Sequence, residues 1–217
     1  MNRFFVFMIY ISIFIILMGF LPILFLIQHN KLNIKNGIVP FVILIFCSSF
    51  YELVLTYIYK FNVSNWYIFY NILSFFCIIY FYYNEFKIKL SSFFIFTSIL
   101  FVFLLIYLYI NFNIENVLII DSYFKIFITS FILISTTLWF VKLINEGNVH
   151  NLLQTGSFYF IAGFVLYYCG TLFLFLLSDQ LYKTDSRLFV YYWGINIFLN
   201  FVLRSLVIVG LWKLRIK

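Results

Sequence analysis

The sequence predicts an all-α membrane protein: a polytopic bundle of seven transmembrane helices that forms a single domain over residues 1–217. Hydrophobic residues make up 65% of the chain, charged residues only 10%, and the mean hydropathy is +1.08. Soluble domains are about half apolar and about a quarter charged, so this composition excludes a water-soluble fold. The apolar residues also fall into seven long blocks, each near the roughly 20 residues that a helix needs to cross a bilayer.

The seven blocks are separated by short polar connectors. They predict helices over residues 4–27, 38–59, 66–83, 90–110, 117–141, 158–177 and 188–211. Helices are favoured over a β-barrel because barrel strands alternate apolar and polar residues, whereas Ile11 to Leu17 is apolar on every side. The first block is predicted to be a membrane helix and not a secretory signal, since no small-x-small cleavage site follows Pro22. The longest connector, 142–157, is too short for a soluble catalytic or nucleic-acid-binding domain.

The distribution of positive charge predicts the orientation, because excess Lys and Arg stay on the cytoplasmic side. One face would carry Lys31, Lys35, Lys87, Lys89, Lys142, Lys213, Arg215 and Lys217. The opposite face would carry Arg3, Lys60, Lys183 and Arg187. The first set is the larger, which predicts that the N-terminus lies outside and the C-terminus in the cytoplasm.

Rare polar side chains inside the spans are the candidate site. Ionisable groups at membrane depth cost at least a few kcal/mol, so they usually face the bundle interior. The candidates are Glu52, Asn71, Asp121, Lys125, Asn196, Asn200 and Arg204. With a rise of about 1.5 Å per residue, four of them fall in one layer roughly 4 to 6 Å outward of the midplane. Asp121 is one turn from Lys125 on the same helical face, and Lys125 is predicted to bridge Asp121 and Glu52 if spans two and five lie near one another.

Two interpretations of this polar layer are open. It is either a small polar site in the outer half, with Lys125 and Glu52 as its charged pair, or a buried network that fixes helix packing. A buried ion pair adds little stability, which favours a role beyond packing for these two residues. Arg204 also has two interpretations, since it either faces inward or extends toward cytoplasmic phosphates.

The sixth block contains small residues that favour close helix packing, namely Ala162, Gly163 and Gly170.

Enzyme signatures are missing: the sequence has no HExxH, GxSxG or glycine-rich phosphate loop. Its histidines, His29 and His150, lie in connectors. We therefore expect no catalytic residue, no metal site and no cofactor, and an intramembrane enzyme is the least favoured of three functions, since no nucleophile with an adjacent base is visible.

Two aromatic stretches carry a family resemblance. One is 65–71, and the other runs from Phe158 to Gly163 and on through 168–175. They resemble stretches of small uncharacterised seven-helix bacterial inner-membrane proteins, some of which are encoded near sensor histidine kinases. The resemblance implies an accessory protein of the bacterial inner membrane, and it implies no catalytic residues.

Two functions are expected from these observations. The first is a sensory or accessory module that acts through a separate membrane-bound signalling protein, because the connectors have no room for an output domain. The second is a small-solute facilitator that uses the outer polar layer. Asn71 and Asn196 resemble the asparagines of SWEET-type facilitators. Those proteins carry prolines in spans one, two, five and six, whereas this chain has only Pro22 and Pro40 and no Pro-Gln motif. We expect the protein to lie in the lipid bilayer and to bind no nucleic acid. The oligomeric state is left open.

Overall fold

The computed structural model describes residues 3–28, 36–60, 64–86, 90–112, 116–147, 152–184 and 186–215. These residues are helical and contain no strand. Seven of the helices in this part of the chain are long and apolar enough to cross a membrane. The all-α class and the seven candidate spans are therefore confirmed for the described residues, and they fit an integral membrane protein.

The described chain contains eight α-helices and one π-helical segment. The helices are α1 (Arg3–Met18), α2 (Leu21–Gln28), α3 (Val39–Phe50), α4 (Ser64–Phe86), α5 (Ser91–Asn111), α6 (Val117–Asn145), α7 (Gly156–Thr184) and α8 (Ser186–Arg215). The π-helical segment, Tyr51–Ile58, directly continues α3. The first span consists of α1 and α2, and the second consists of α3 and the π segment.

The first two spans are less regular than the sequence predicts. The helix predicted over 4–27 is interrupted at Gly19 and Phe20, because proline has no N–H and its ring clashes with the carbonyl four residues earlier, here that of Met18. Glycine also has a low helix propensity. In the second span the backbone widens, so that the Tyr59 N–H donates to the carbonyl of Val54, five residues earlier. The other five predicted spans are observed with ends within a few residues, except that α6, α7 and α8 extend further.

Six spans form a closed ring, and the seventh lies outside it. Going round the ring, α1 and α2 pack on α3, α3 on α4, α4 on α6, α6 on α7, α7 on α8, and α8 returns to α1 and α2. The remaining helix, α5, packs against α4 and α6. The interior of the ring is therefore the only region that all six spans can share, and a polar group placed there is shielded from lipid.

One half of the ring interior is filled by buried phenylalanines. Phe164 lies edge-on to Phe41 and to Phe81, with ring centroids 4.9 and 5.5 Å apart, and Phe81 also meets Phe160 at 5.9 Å. These four side chains are almost completely buried. We call them the phenylalanine plug. Since α4 enters the plug at Phe81, ten residues beyond Asn71, the plug lies toward the predicted cytoplasmic end.

Glu85 joins three helices below the plug. Its carboxylate accepts hydrogen bonds from Ser157 Oγ at 2.7 Å and Trp139 Nε1 at 3.4 Å, and its backbone carbonyl accepts one from Lys142 Nζ at 2.6 Å. These contacts tie the end of α4 to the end of α6 and the start of α7. The sequence analysis did not single out Glu85, because it lies next to a polar connector and reads as a solvated residue.

The small residues of α7 lie mainly against α8. A Cβ atom built on Gly163 would lie 3.2 Å from Leu203 Cδ1, and one built on Gly170 would lie 2.7 Å from Leu199 Cδ1. Ala162 is partly buried. The absence of side chains at the two glycines thus allows α7 and α8 to approach closely, which is the usual role of small residues between membrane helices.

Several residues used in the sequence analysis lie outside the described part of the chain, namely His29, Lys31, Lys35, Lys87, Lys89, His150 and Lys217. They include five of the eight cations on the predicted cytoplasmic face. The orientation of the termini therefore stays a prediction.

Candidate functional site

A cavity of about 280 Å³ lies inside the ring, in the half that the phenylalanine plug leaves unfilled, and it is partly open to its surroundings. All seven polar residues singled out in the sequence line it: Glu52, Asn71, Asp121, Lys125, Asn196, Asn200 and Arg204. Each of the six ring spans contributes lining side chains. At about 1.5 Å per residue, Asn71 lies roughly 10 Å along α4 from its start, and Lys125 roughly 12 Å along α6. The cavity thus lies in the half predicted to face outside.

Aromatic side chains form much of the remaining wall. They are Trp66, Tyr67, Tyr70, Tyr167, Phe175 and Trp193. The sequence analysis did not assign these residues to the site, because aromatic residues make up 25% of the chain and Tyr and Trp are expected at the membrane interfaces in any case. Trp193 is the exception, because its spacing of three residues from Asn196 places it on the polar face of the last span. No sequence signal separates the other lining aromatics from the rest.

Lys125 is buried among aromatic rings, with only 2% of its surface exposed. Its Nζ lies 5.0 Å from the ring centroid of Tyr167, 4.9 Å from that of Tyr168 and 4.6 Å from that of Phe175. Such contacts stabilise a cation by about 0.5 to 2 kcal/mol, but they supply no oxygen or nitrogen acceptor for its N–H groups. Within the described residues, Nζ has no hydrogen-bond acceptor and no carboxylate oxygen within 4.0 Å.

The predicted bridge from Lys125 to Asp121 and Glu52 is wrong. In the ring, α4 lies between α6 and the span that carries Glu52, so Lys125 reaches the rings of α7 instead. Asp121, one turn before Lys125, is held by α4, since Asn71 Nδ2 donates a hydrogen bond to Asp121 Oδ1. Asp121 still attracts Lys125 electrostatically, but the two groups are not a closed ion pair.

Arg204 faces the interior, which decides between its two predicted positions. Its Nη1 donates to the carbonyl of Ile15 and, at 3.1 Å, to Ser49 Oγ, while Nε donates to Asn200 Oδ1 at 3.0 Å. Ile15 is in the last turn of α1, where a cation is favoured. Its carbonyl also accepts the backbone N–H of Gly19 at 3.2 Å, so Arg204 is a second donor to the same oxygen.

Glu52 lies on the π segment, close enough to Arg204 for electrostatic attraction. Its Oε1 accepts a hydrogen bond from Ser48 Oγ at 3.2 Å. On the opposite wall, Tyr167 donates to Asn196 Oδ1 at 3.3 Å. The cavity therefore contains two carboxylates and two cations, so that its formal charges balance.

Two buried polar atoms on the cavity wall lack a partner. Within the described residues, neither Asn71 Oδ1 nor Thr56 Oγ1 has a hydrogen-bond partner. Buried polar atoms are normally hydrogen-bonded, to protein or to ordered water, because leaving one unpaired costs about 1 to 3 kcal/mol. Together with the Lys125 ammonium, these atoms give the cavity an unfilled capacity for hydrogen bonds.

The same residues offer no metal centre. No group of three or more His, Cys, Asp or Glu side chains that could hold a metal ion occurs in the described ranges. The lining consists of two acidic groups, two cations, amides, hydroxyls and aromatic rings. Such a lining can bind a small polar molecule by hydrogen bonds and charge.

Comparison with known proteins gave no relative: no protein-family model, no curated protein and no solved structure matches the chain. The resemblance to small seven-helix bacterial inner-membrane proteins therefore stays a prediction.

Proposed function

We propose that this bundle binds a small polar solute in the cavity and carries it across the membrane as a facilitator. One observation supports this most strongly: Lys125 Nζ, Asn71 Oδ1 and Thr56 Oγ1 all belong to residues that line one cavity, and none of them has a hydrogen-bond partner in the described chain. A network that serves packing alone would be expected to pair its polar groups internally, because an incompletely paired network destabilises a core.

The size of the cavity limits the solute. Small-molecule sites usually measure about 300 to 1,000 Å³, and this cavity of about 280 Å³ lies just below that range. It has space for several water molecules or for one small solute. The aromatic walls would cover the apolar part of such a solute, while the charged groups hold its polar part.

Two irregular helices support transport over binding alone. The break between α1 and α2 begins at Gly19, beside the Arg204 guanidinium, and the π segment carries Glu52. Interrupted helices that expose backbone groups at the substrate site are typical of secondary transporters, and π-helical segments are frequent at functional sites. Both irregularities border the cavity, where a change in backbone conformation would alter access to it.

The test is solute flux into liposomes that contain the purified full-length protein. The solutes are alanine, leucine, lactate, succinate, choline, glycerol and glucose, each supplied as a radiolabelled compound. We expect saturable uptake of at least one solute, reduced at least tenfold by Glu52→Gln. The matched control is Lys183→Met, which removes an exposed charge whose ion-pair partner among the described residues is Asp179, at 2.8 Å. Absence of both flux and binding for all seven solutes would refute the proposal.

A sensory or accessory role in the bacterial inner membrane would use the same cavity without transport. Binding of a solute with no flux would favour that role over a facilitator. The decisive measurement is then co-purification from native membranes, where a membrane-bound signalling protein in stoichiometric amount would identify the partner.

A further inference from the structure

The two cations of the cavity differ in how completely they are bound. Arg204 donates three hydrogen bonds, to Ile15, Ser49 and Asn200, and it lies near the Glu52 carboxylate. Lys125 donates no hydrogen bond within the described chain, although its ammonium has three N–H donors. Lys125 is therefore the cation that remains able to bind an anionic group of a solute.

The acidic groups of the cavity restrict what that anion can be. Asp121 is one turn from Lys125, and Glu52 lines the same cavity. Two carboxylates would repel a dianion, and they would attract a positive charge on the solute. The free acceptor Asn71 Oδ1 belongs to the amide that bonds Asp121, so an acceptor for an N–H group lies beside the carboxylate near Lys125.

A purely cationic solute fits less well. The rings of Tyr167, Tyr168 and Phe175 would attract a quaternary ammonium group, but the Lys125 ammonium already lies against all three. A second cation at these rings would be repelled by the first. The arrangement therefore favours a solute with separated negative and positive ends.

We propose, on the basis of the proposed solute-binding function, that the cavity takes a small amino carboxylate. The carboxylate of the solute binds Lys125 Nζ, and its ammonium group lies toward Asn71 Oδ1 and the acidic side chains. The cavity and the solute then each have a formal net charge of zero. The same binding mode also pairs the unpartnered donor, Lys125 Nζ, and the unpartnered acceptor, Asn71 Oδ1.

The test is binding of matched solutes to the purified full-length protein, measured by calorimetry. The solutes are alanine and leucine, their amides alaninamide and leucinamide, which lack the carboxylate, and lactate, which lacks the ammonium group. We expect at least one of the two amino acids to bind at least tenfold more tightly than its amide, and alanine to bind more tightly than lactate. Lys125→Met should remove this preference for the acid over the amide, whereas Lys125→Arg should keep part of it.

Two controls keep the test decisive. Lys183→Met should leave the affinities unchanged. If Lys125→Met alone does not fold, the double variant Asp121→Asn with Lys125→Met removes both neighbouring charges and is expected to lose the same preference.

The outcomes separate this proposal from the proposed function. If choline, glycerol or glucose binds and no amino carboxylate does, the amino carboxylate is refuted while solute binding stands. If an amino acid binds and neither Lys125→Met nor the double variant changes its preference over the amide, Lys125 is not the carboxylate subsite. If no solute binds or moves, both proposals fail.

Discussion

Replacing Gly19 by alanine tests how closely three spans meet beside the cavity. A Cβ atom at this position would overlap Ser49 Oγ, and it would lie 2.9 Å from Ser49 Cβ and 2.7 Å from Arg204 Nη1. The close neighbours include the Cβ of Ser49, which cannot move without its backbone, so the helices must separate. Overpacking costs about 1 to 3 kcal/mol. Loss of the bond between Arg204 and Ser49 adds about 0.6 to 1.7 kcal/mol, the range measured for interhelical polar contacts in membranes.

Gly19→Ala should therefore lower the free energy of unfolding by about 2 to 5 kcal/mol, measured by denaturation in mixed micelles. The matched control is Gly194→Ala in α8. There the added Cβ meets only the terminal methyl of Met8 at 2.7 Å and its sulfur at 3.7 Å, and this flexible side chain can turn away. A Gly19→Ala variant as stable as the Gly194→Ala variant would refute the close approach and, with it, the placement of Arg204 against α1.

Further predictions concern the contacts outside the cavity. Glu85→Ala removes the hydrogen bonds that this half-buried carboxylate accepts from Ser157 and Trp139. It should lower the free energy of unfolding by about 0.5 to 1.5 kcal/mol for each bond lost, while solute affinity stays unchanged. Tyr82 and Thr136 share a buried hydrogen bond of 2.7 Å, so a double-mutant cycle of Tyr82→Phe with Thr136→Val should give a coupling of about 0.5 to 1.5 kcal/mol in unfolding experiments. A coupling near zero would contradict that bond. Lys183→Met removes an exposed ion pair and should change stability by less than about 0.5 kcal/mol in the same assay.

The spans were predictable from sequence because length and hydropathy alone report them. The irregularities within the spans were not. The break at Gly19 and Phe20 has a visible cause in Pro22, but a proline near the end of an apolar block is also compatible with a kinked continuous helix. The π segment depends on how the second span packs against its neighbours. Hydropathy averaged along the sequence contains no information about that packing.

The residues of the candidate site were identifiable because polar groups are costly in a membrane, whatever they contact. Their partners were not identifiable, because partners depend on the order of helices in the ring. The predicted bridge from Lys125 to Glu52 required spans two and five to lie near one another, which the sequence could not establish. The observed ring puts α4 between them and α7 next to α6, so the aromatic residues Tyr167, Tyr168 and Phe175 surround the ammonium. Among so many aromatic residues, only the three-dimensional arrangement distinguishes these.

The phenylalanine plug determines what kind of facilitator the ring can be. A channel needs a continuous path, but Phe41, Phe81, Phe160 and Phe164 fill the ring on the side of the cavity nearer Glu85 and have at most 2% of their surface exposed. Their rings meet edge to face, an arrangement that stabilises each pair by about 0.5 to 1.5 kcal/mol beyond burial. A solute can therefore pass only when several of these contacts separate, which requires movement of α3, α4 or α7. If the ring carries a solute, as proposed, the plug excludes a permanently open pore, and a change of conformation must come before passage.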